Sequence, residues 1–420
     1  MKILLVQDMD WRKKGPWQQH HLMEKLSLKG HEIHVIVFEH LWHEEKGPFF
    51  AKQVRIEHFN RIYEGAEVTY IRPSFIRLPV LDYVSFLVSS RTAIKNEIET
   101  FNPDLILGFS SVLSNYWGMQ LAKKYGIPFV YYWYDIIHVL NVPQPYGPLA
   151  FLIEKRIVKG STHLVTINAA LTEYLQAFGA PPSKTDTIPG GVDLKRFDPQ
   201  RIDPQIVRQR YGFADNDIVL FFMGWIYPFS GLREVAIDVV NAADSPQRIK
   251  LLVVGRGPGL AWLEEFVKER EAQDQIILTG YRPYEEIPQL IAAADICVLP
   301  AYDNEEMRHI VPIKLYEFLA MGKPVISTKL HGVMEEFKTG NGVVYVDKPE
   351  AVVARAAALS KVQLHEQSEQ ALNFMQRHDW DSITADFEAL LTSTVREKAA
   401  EQASAKVHQT SPLGHNHRGF

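Results

Sequence analysis

Short, unbroken apolar runs recur along this chain, each followed by a helix-length stretch, and the series runs twice with a proline- and glycine-rich break between. A half-solvated sheet needs alternating polar and apolar residues. A strand covered by helices on both faces reads as continuously apolar. Lys2–Val6 is such a run, Gln18–Lys29 is a helical stretch that Gly30 ends, and Ile33–Phe38 is the next strand, together a βαβ unit. The spacing predicts further strands at Glu67–Ile71, Asp104–Gly108, Pro128–Trp133 and Leu164–Ile167. It predicts helices over Leu81–Thr100, Ser114–Tyr125, Leu149–Lys159 and Leu171–Phe178. Alternation of this kind implies an α/β class fold with a parallel, doubly wound sheet.

The break, Gly179–Pro204, carries Pro181-Pro182, Pro189-Gly190-Gly191, Pro199 and Pro204. Strands are then expected at Ile218–Met223, Lys250–Val254, Gln275–Leu278, Asp295–Leu299, Val325–Ser327 and Val343–Val346. The expected organisation is a first Rossmann-like domain over 1–190, a linker over 191–212 and a second Rossmann-like domain over 213–375. Residues 399–420 are small, polar and without an apolar face, and are expected to be disordered.

A chain of 420 residues has room for two such domains. Its 45 Lys+Arg against 50 Asp+Glu, a formal charge of −5, do not suit a uniformly nucleic-acid-binding protein, so no nucleic acid is expected as partner. The charge is split, net +2 over residues 1–190 and −7 over 191–420. One cysteine, Cys297, excludes an intramolecular disulfide and a thiolate zinc cage, and points to the cytoplasm. No apolar stretch approaches the roughly 20 residues of a membrane span. Ile3–Val6, ended by Gln7-Asp8, is too short for the core of a signal sequence.

The most informative stretch is Arg308–Thr328. Pro312 stands where a helix begins, Lys314–Met321 is a short helix, and Gly322 ends it before the strand at Val325. Lys314 in the first turn suits a diphosphate, and Glu317 at i+3 shares its face and could accept two hydrogen bonds from a ribose diol. The same spacing also fits a solvated surface helix.

The segment KLYEFLAMGKPVIST resembles the nucleotide-sugar motif of the retaining glycosyltransferases of family 4, which have the two-domain GT-B fold. Lys29-Gly30-His31-Glu32-Ile33, Ile188-Pro189-Gly190-Gly191-Val192-Asp193 with Phe197 and Pro199, Val253–Pro258, Ile277–Tyr281 and Ala293–Pro300 agree in order and spacing. Trp380 and Phe387 fit the helix, over 376–398, that crosses back to the first domain. The resemblance implies two domains facing across a cleft. A nucleoside-diphosphate sugar would bind the second and a carbohydrate or lipid-linked acceptor the first. It implies retention of anomeric configuration, no cofactor, no metal, and a role in cell-surface polysaccharide or glycolipid assembly.

Site residues carry over in part. Glu317 matches the second glutamate of the family's paired motif, while the first, eight residues earlier, is His309 here. The basic pair expected after Gly224 is absent, since Trp225, Ile226 and Ser230 occupy those places. Phosphate charge then falls to Lys314, Arg308 or Arg256, with Gly257 and Tyr281 beside them. Asp135 and His138, at the end of the strand YYWYDIIH, are expected beside the reacting sugar, with His138 as base or sugar ligand. Glu317, His309 and His138 are the expected catalytic group. Two alternatives remain open: a sugar-nucleotide epimerase on the same scaffold, and a glycosyltransferase-like subunit that binds without turnover.

Histidines His20-His21 and His40-x-x-His43 lack convincing ligand spacing for a metal. Arg72, Arg77, Arg91 and Lys95, interleaved with Phe75, Leu78, Leu81, Tyr83, Phe86 and Leu87, form a basic amphipathic stretch. It is expected to allow peripheral contact with the inner face of a membrane.

Overall fold

A computed structural model describes residues 1–13, 15–44, 46–109, 112–134, 136, 147–243 and 247–410, with side chains as far as 404. The described residues divide into two compact units. One comprises Met1–Val165, Gln176–Asp186 and Thr384 onward, and the other Thr166–Leu175 and Thr187–Ile383. Asp135 and His138 lie outside the described residues.

The first unit is built on ten strands: β1 (Lys2–Val6), β2 (Glu32–Ile36), β3 (Phe50–Ala51), β4 (Val54–Phe59), β5 (Val68–Arg72), β6 (Phe75–Ile76), β7 (Leu105–Phe109), β8 (Phe129–Trp133), β9 (His163–Thr166) and β10 (Thr185–Thr187). Eight of them form one sheet in the order β10-β9-β8-β7-β1-β2-β5-β4, and β3 pairs with β6 in a small antiparallel ribbon. Reading β5-β2-β1-β7-β8-β9 gives the doubly wound order 3-2-1-4-5-6. Its helices are α1 (Gln18–Leu28), α2 (Leu81–Thr100), α3 (Leu113–Tyr125) and α4 (Gly147–Gly160), followed by α5 (Ala169–Ala177). The central strands β7 and β8 are buried at every residue, as their unbroken apolar runs require.

The sequence pattern passed over β3, β4 and β6. Strand β4 reads VRIEHF, runs antiparallel to β5 and is exposed at alternate positions, so it lacks a continuous apolar run. Strand β10 falls inside the proline-rich break, where three polar residues join the sheet edge.

The second unit has β11 (Ile218–Trp225), β12 (Ile249–Arg256), β13 (Ile276–Leu278), β14 (Ile296–Leu299), β15 (Val325–Thr328) and β16 (Val343–Val346), in the order β13-β12-β11-β14-β15-β16. Neighbouring strands in this sheet pair in parallel. Helices α6 (Pro204–Arg210), α7 (Leu232–Asn241), α8 (Leu260–Glu269), α9 (Ile287–Ala292), α10 (Lys314–Ala320), α11 (His331–Phe337), α12 (Val352–Ala358) and α13 (Lys361–Met375) cover it. Along β11, Val219 and Phe221 enter one core while Leu220 and Phe222 enter the other, so both faces are dry. Cys297 is fully buried in β14, and burial pushes its thiol up.

Arg208 is buried in this unit. Its guanidinium donates to the carbonyls of Ala293, Ala214 and Asp217 and to the Asp295 carboxylate. A buried guanidinium is tolerated here because several acceptors surround it. The Pro189-Gly190-Gly191 turn is tight for a different reason. A Cβ on Gly190 would stand 2.7 Å from the Tyr316 ring, and one on Gly191 would meet Ile383 at 2.7 Å and Trp380 at 3.0 Å.

Two expectations change. Helix α14 (Trp380–Thr410) continues past Ala399, where disorder was expected. Its extension, KAAEQASAK, is rich in good helix formers, so propensity sustains it without an apolar face. The basic amphipathic stretch also sorts differently. Arg72, Phe75 and Phe86 are buried, with Phe75 and Phe86 packed on Phe38, so they belong to the core and not to a surface. No described helix is long and apolar enough to cross a membrane.

Candidate functional site

In an open doubly wound sheet the strand order reverses at one point, and the carboxyl ends of the strands there leave a crevice for ligand. In the second unit that point lies between β11 and β14. Strands β11 and β12 each carry a glycine one residue before their end, and Gly224 lies opposite Gly255 in the register. Gly224, Gly255 and Gly257 have φ of 124°, 143° and 148°. A Cβ on Gly255 would stand 1.9 Å from the Gly224 carbonyl oxygen, and one on Gly257 2.5 Å from that of Ile226. Only glycine lets the two strand ends approach this closely.

Lys314 reaches this crevice from the first turn of α10. Its ammonium donates to the Met223 carbonyl at 3.0 Å and lies 4.0 Å from the centre of the Phe222 ring. A Cβ on Gly224 would be 3.5 Å from Lys314 Nζ, so the two sequence candidates are neighbours. Burial pushes the Lys314 ammonium down to about 7, against the opposing pull of the Glu317 charge. Glu317, 6% exposed, accepts a hydrogen bond from the Tyr284 hydroxyl at 2.8 Å. Burial raises its carboxyl to about 7, countered by Tyr284, Arg196 and Lys314. Both groups are thus held near neutrality by desolvation, one turn apart on one helix.

Arg256 and Tyr281 complete the rim. The Arg256 guanidinium is 5.7 Å from the centre of the Trp225 ring and 5.5 Å from that of Tyr281, and Tyr281 is largely exposed. Gly224, Arg256, Gly257, Tyr281, Lys314 and Glu317 therefore gather around the ends of β11 and β12.

Arg308 and His309 belong to a separate cluster. The Arg308 side chain is half-exposed and pairs with Asp303 at 3.1 Å. His309 packs against Tyr174 and His331, with ring centres 5.3 and 5.7 Å away, and its carbonyl accepts from Asn168. Burial and the neighbouring His331 and Arg308 lower its pKa, which favours the neutral ring. Its Nδ1 is buried without a hydrogen-bond partner among the described residues. Gly332 admits this packing, since a Cβ there would stand 2.7 Å from the His309 carbonyl.

Sequence reasoning missed Tyr284 and Arg196. Tyr284 is far from Glu317 in the chain and only the fold brings them together. Arg196 offered a weak signal, three residues after Asp193 in the glycine-turn segment, and its guanidinium lies 5.1 Å from the centre of the Tyr284 ring.

Known proteins agree with this architecture. The sequence model of "Glycosyltransferase Family 4" matches residues 18–196, and that of "Glycosyl transferases group 1" matches residues 203–403. A 2-deoxystreptamine glucosyltransferase of Streptomyces kanamyceticus is 28% identical over 45% of this chain and 50% of its own. A D-inositol 3-phosphate glycosyltransferase of Segniliparus rotundus is 27% identical over 60% of this chain and 58% of its own. The chain thus spans little more than half the length of these relatives. Sucrose-phosphate synthase from Thermosynechococcus elongatus shares the fold with a TM-score of 0.74 at 18% identity, covering 93% of this chain and 98% of that one. Anabaena Alr3699/HepE, solved in complex with UDP-glucose, does so with a TM-score of 0.68 at 18% identity, over 94% and 100% of the two chains. With one family model on each half, and the same strand order in both units, the chain belongs to glycosyltransferase family 4 and has the GT-B fold.

Proposed function

We propose that this protein transfers a sugar from a nucleoside-diphosphate sugar to an acceptor hydroxyl, with the donor bound in the second unit and the acceptor in the first. The observation that carries the reading is the Lys314–Glu317 pair, desolvated at the strand-order reversal beside the glycine ends of β11 and β12. A protein keeps two ionisable groups in such a place at a cost in stability, and a ligand of matching charge offsets that cost. Lys314 meets the diphosphate and stabilises it as leaving group. Glu317 takes the ribose hydroxyls. Arg256 and Tyr281 border the base or the phosphates, and His309, as a neutral ring, offers a hydrogen bond to the donor sugar. Retention of configuration, independence of metal, and a place in polysaccharide or glycolipid assembly follow from the family resemblance and complete the reading. The Anabaena protein of the same fold, solved with UDP and with UDP-glucose, makes uridine nucleotides the first donors to try.

The absence of the usual first glutamate at His309 favours a second reading, a subunit that binds donor without turning it over. Incubation with UDP-sugars decides between them: slow hydrolysis without acceptor supports the transferase, and tight binding without turnover across an acceptor panel supports the binding subunit. Glu317→Ala is expected to weaken donor binding by about 1–3 kcal/mol, the worth of charge-assisted hydrogen bonds. Unchanged affinity by calorimetry would sink the ribose assignment.

Proton linkage gives an independent check. At pH 8 Glu317 is largely ionised and Lys314 largely neutral, with both near 7. A bound diphosphate favours the charged lysine, so binding at pH 8 should take up as much as about 0.9 proton per site. Calorimetry of UDP binding in buffers of different ionisation enthalpy measures this. Lys314→Arg, which stays charged, should abolish the uptake while retaining binding.

A further inference from the structure

The loop from β14 to α10 and the start of α11 bring together three side chains whose capacity to bind an anion is unused. The Arg308 guanidinium pairs with Asp303 through Nε alone, at 3.1 Å. Its two Nη groups make no hydrogen bond among the described residues. His309 Nδ1 is likewise without a partner among the described residues. His331, exposed at the start of α11, meets the His309 ring edge-on at 5.7 Å, and its own ring makes no hydrogen bond among the described residues.

The backbone fixes these groups before any ligand arrives. The Arg308 carbonyl accepts from Gly332 N–H at 2.7 Å, which ties the loop to α11. The His309 carbonyl accepts from the Asn168 amide at 3.1 Å, and Asn168 is itself buried, its side-chain oxygen accepting from Leu171 N–H at 2.7 Å. A site set in advance loses less order on binding. Topology puts the cluster beside the donor crevice. The loop leaves the carboxyl end of β14, and α11 follows that of β15; in the sheet these strands come next after β11. Neighbouring strands stand about 4.8 Å apart, so the cluster lies one or two strand spacings along the edge from the Lys314 crevice, where the sugar of a bound donor would extend.

Chemistry selects the sugar. A neutral hexose presents hydroxyls, which ask for acceptors as well as donors. Arg308 offers donors only, in a planar fork that fits a carboxylate. Acidic neighbours leave that fork open: Asp303 occupies Nε, while Glu305 and Glu173 are exposed. Glu336 on α11 accepts from the Tyr316 hydroxyl and lies 3.7 Å from His378. Burial, His331 and Arg308 hold His309 below the ordinary histidine range, against the lesser pull of Asp303 and Glu305. A carboxylate brought by the ligand adds to that pull and draws a proton onto the ring.

We infer that the donor sugar carries a carboxylate, read by Arg308, His309 and His331, so that the group transferred is a uronic acid. The inference rests on the donor reading and deepens it. Calorimetry with UDP, UDP-glucose, UDP-galactose, UDP-glucuronate and UDP-galacturonate tests it. At pH 6.5 at least one uronate should bind about tenfold or more tighter than its neutral counterpart. That ratio should grow as pH falls from 8 to 6, because the carboxylate favours protonated His309. Arg308→Gln and His309→Gln should each lower the ratio about fivefold or more, and His309→Glu should invert it. The wild-type ratio is decisive even if a variant fails to fold. A ratio near one, with UDP bound, would overturn the inference and leave the donor reading standing. Ratios unchanged in the variants would also overturn it, and equal losses for UDP and every UDP-sugar would assign the cluster to the diphosphate instead. If neither UDP nor any UDP-sugar binds, the donor reading and the inference fall together.

Discussion

Replacing Lys314 by Met and Glu317 by Gln together should make the protein melt higher at pH 7 while nucleoside diphosphates lose more than about a hundredfold in affinity. The gain in stability follows from proton linkage. Glu317 is raised by burial to about 7 from an ordinary 4.5, so the folded state holds more protons between those values. Stability therefore falls as pH rises from 4.5 to 7, and the penalty is complete above 7. Lys314 is lowered by burial to about 7 from 10.5, so the unfolded state holds more protons between 7 and 10.5, and stability recovers as pH rises through that window. The pair thus sets a minimum near pH 7. Removing both charges should lift that minimum by about 1–3 kcal/mol, in line with other buried pairs replaced by neutral residues of similar size. Met keeps the contact with the Phe222 ring, and Gln keeps an acceptor for Tyr284. The affinity lost is that of two sets of charge-assisted hydrogen bonds, about 3–5 kcal/mol. Thermal melts from pH 5 to 9 beside UDP calorimetry check both signs. A variant that melts lower at pH 7 would show that the pair holds the fold, and one that binds UDP normally would show that the nucleotide sits elsewhere.

Gly255→Ala should destabilise the second unit by about 3–5 kcal/mol. The residue has φ 143°, and the new methyl would stand 1.9 Å from the Gly224 oxygen and 3.0 Å from the Gly224 carbonyl carbon. The obstacle is backbone in a neighbouring strand, so no rotamer change relieves it. Strain at a forbidden φ and overpacking add. Gly280→Ala is the control. That glycine also has positive φ, 68°, but a Cβ there meets nothing within 4 Å, so the cost should be only about 1 kcal/mol. Denaturant melts of the two variants should separate them clearly. Equal losses would mean that the contact between the strand ends is looser than the geometry describes.

Periodicity carried the central fold because burial on both sheet faces writes itself into the sequence. Strand β1 and helix α2 fall where the pattern predicts them, residue for residue. Edges do not leave that trace. Strand β4 alternates because one side meets water, and β10 is three polar residues whose only qualification is a free sheet edge. In the site, Lys314 and Glu317 were legible from their i, i+3 spacing behind Pro312, and Gly224 and Gly257 from the resemblance to the family. Tyr284 was not, because its contact with Glu317 spans two loops and depends on packing rather than spacing. His309 was flagged by its register, but its neighbours Tyr174 and Asn168 come from a distant segment that groups with the second unit. The stretch from Arg72 to Lys95 was recognised as basic and amphipathic, yet its aromatics Phe75 and Phe86 were placed on the wrong side. Phe75 and Phe86 share helical and strand spacings with exposed neighbours, and only the packing on Phe38 reveals which way they turn.

The chain holds a single sulfhydryl, sealed inside β14 with its ionisation suppressed. Maleimide or spin-label reagents should therefore leave the native molecule untouched. A cysteine engineered onto any surface position becomes the one reactive handle without first stripping the background, so a reporter can be placed on either unit of an otherwise wild-type protein.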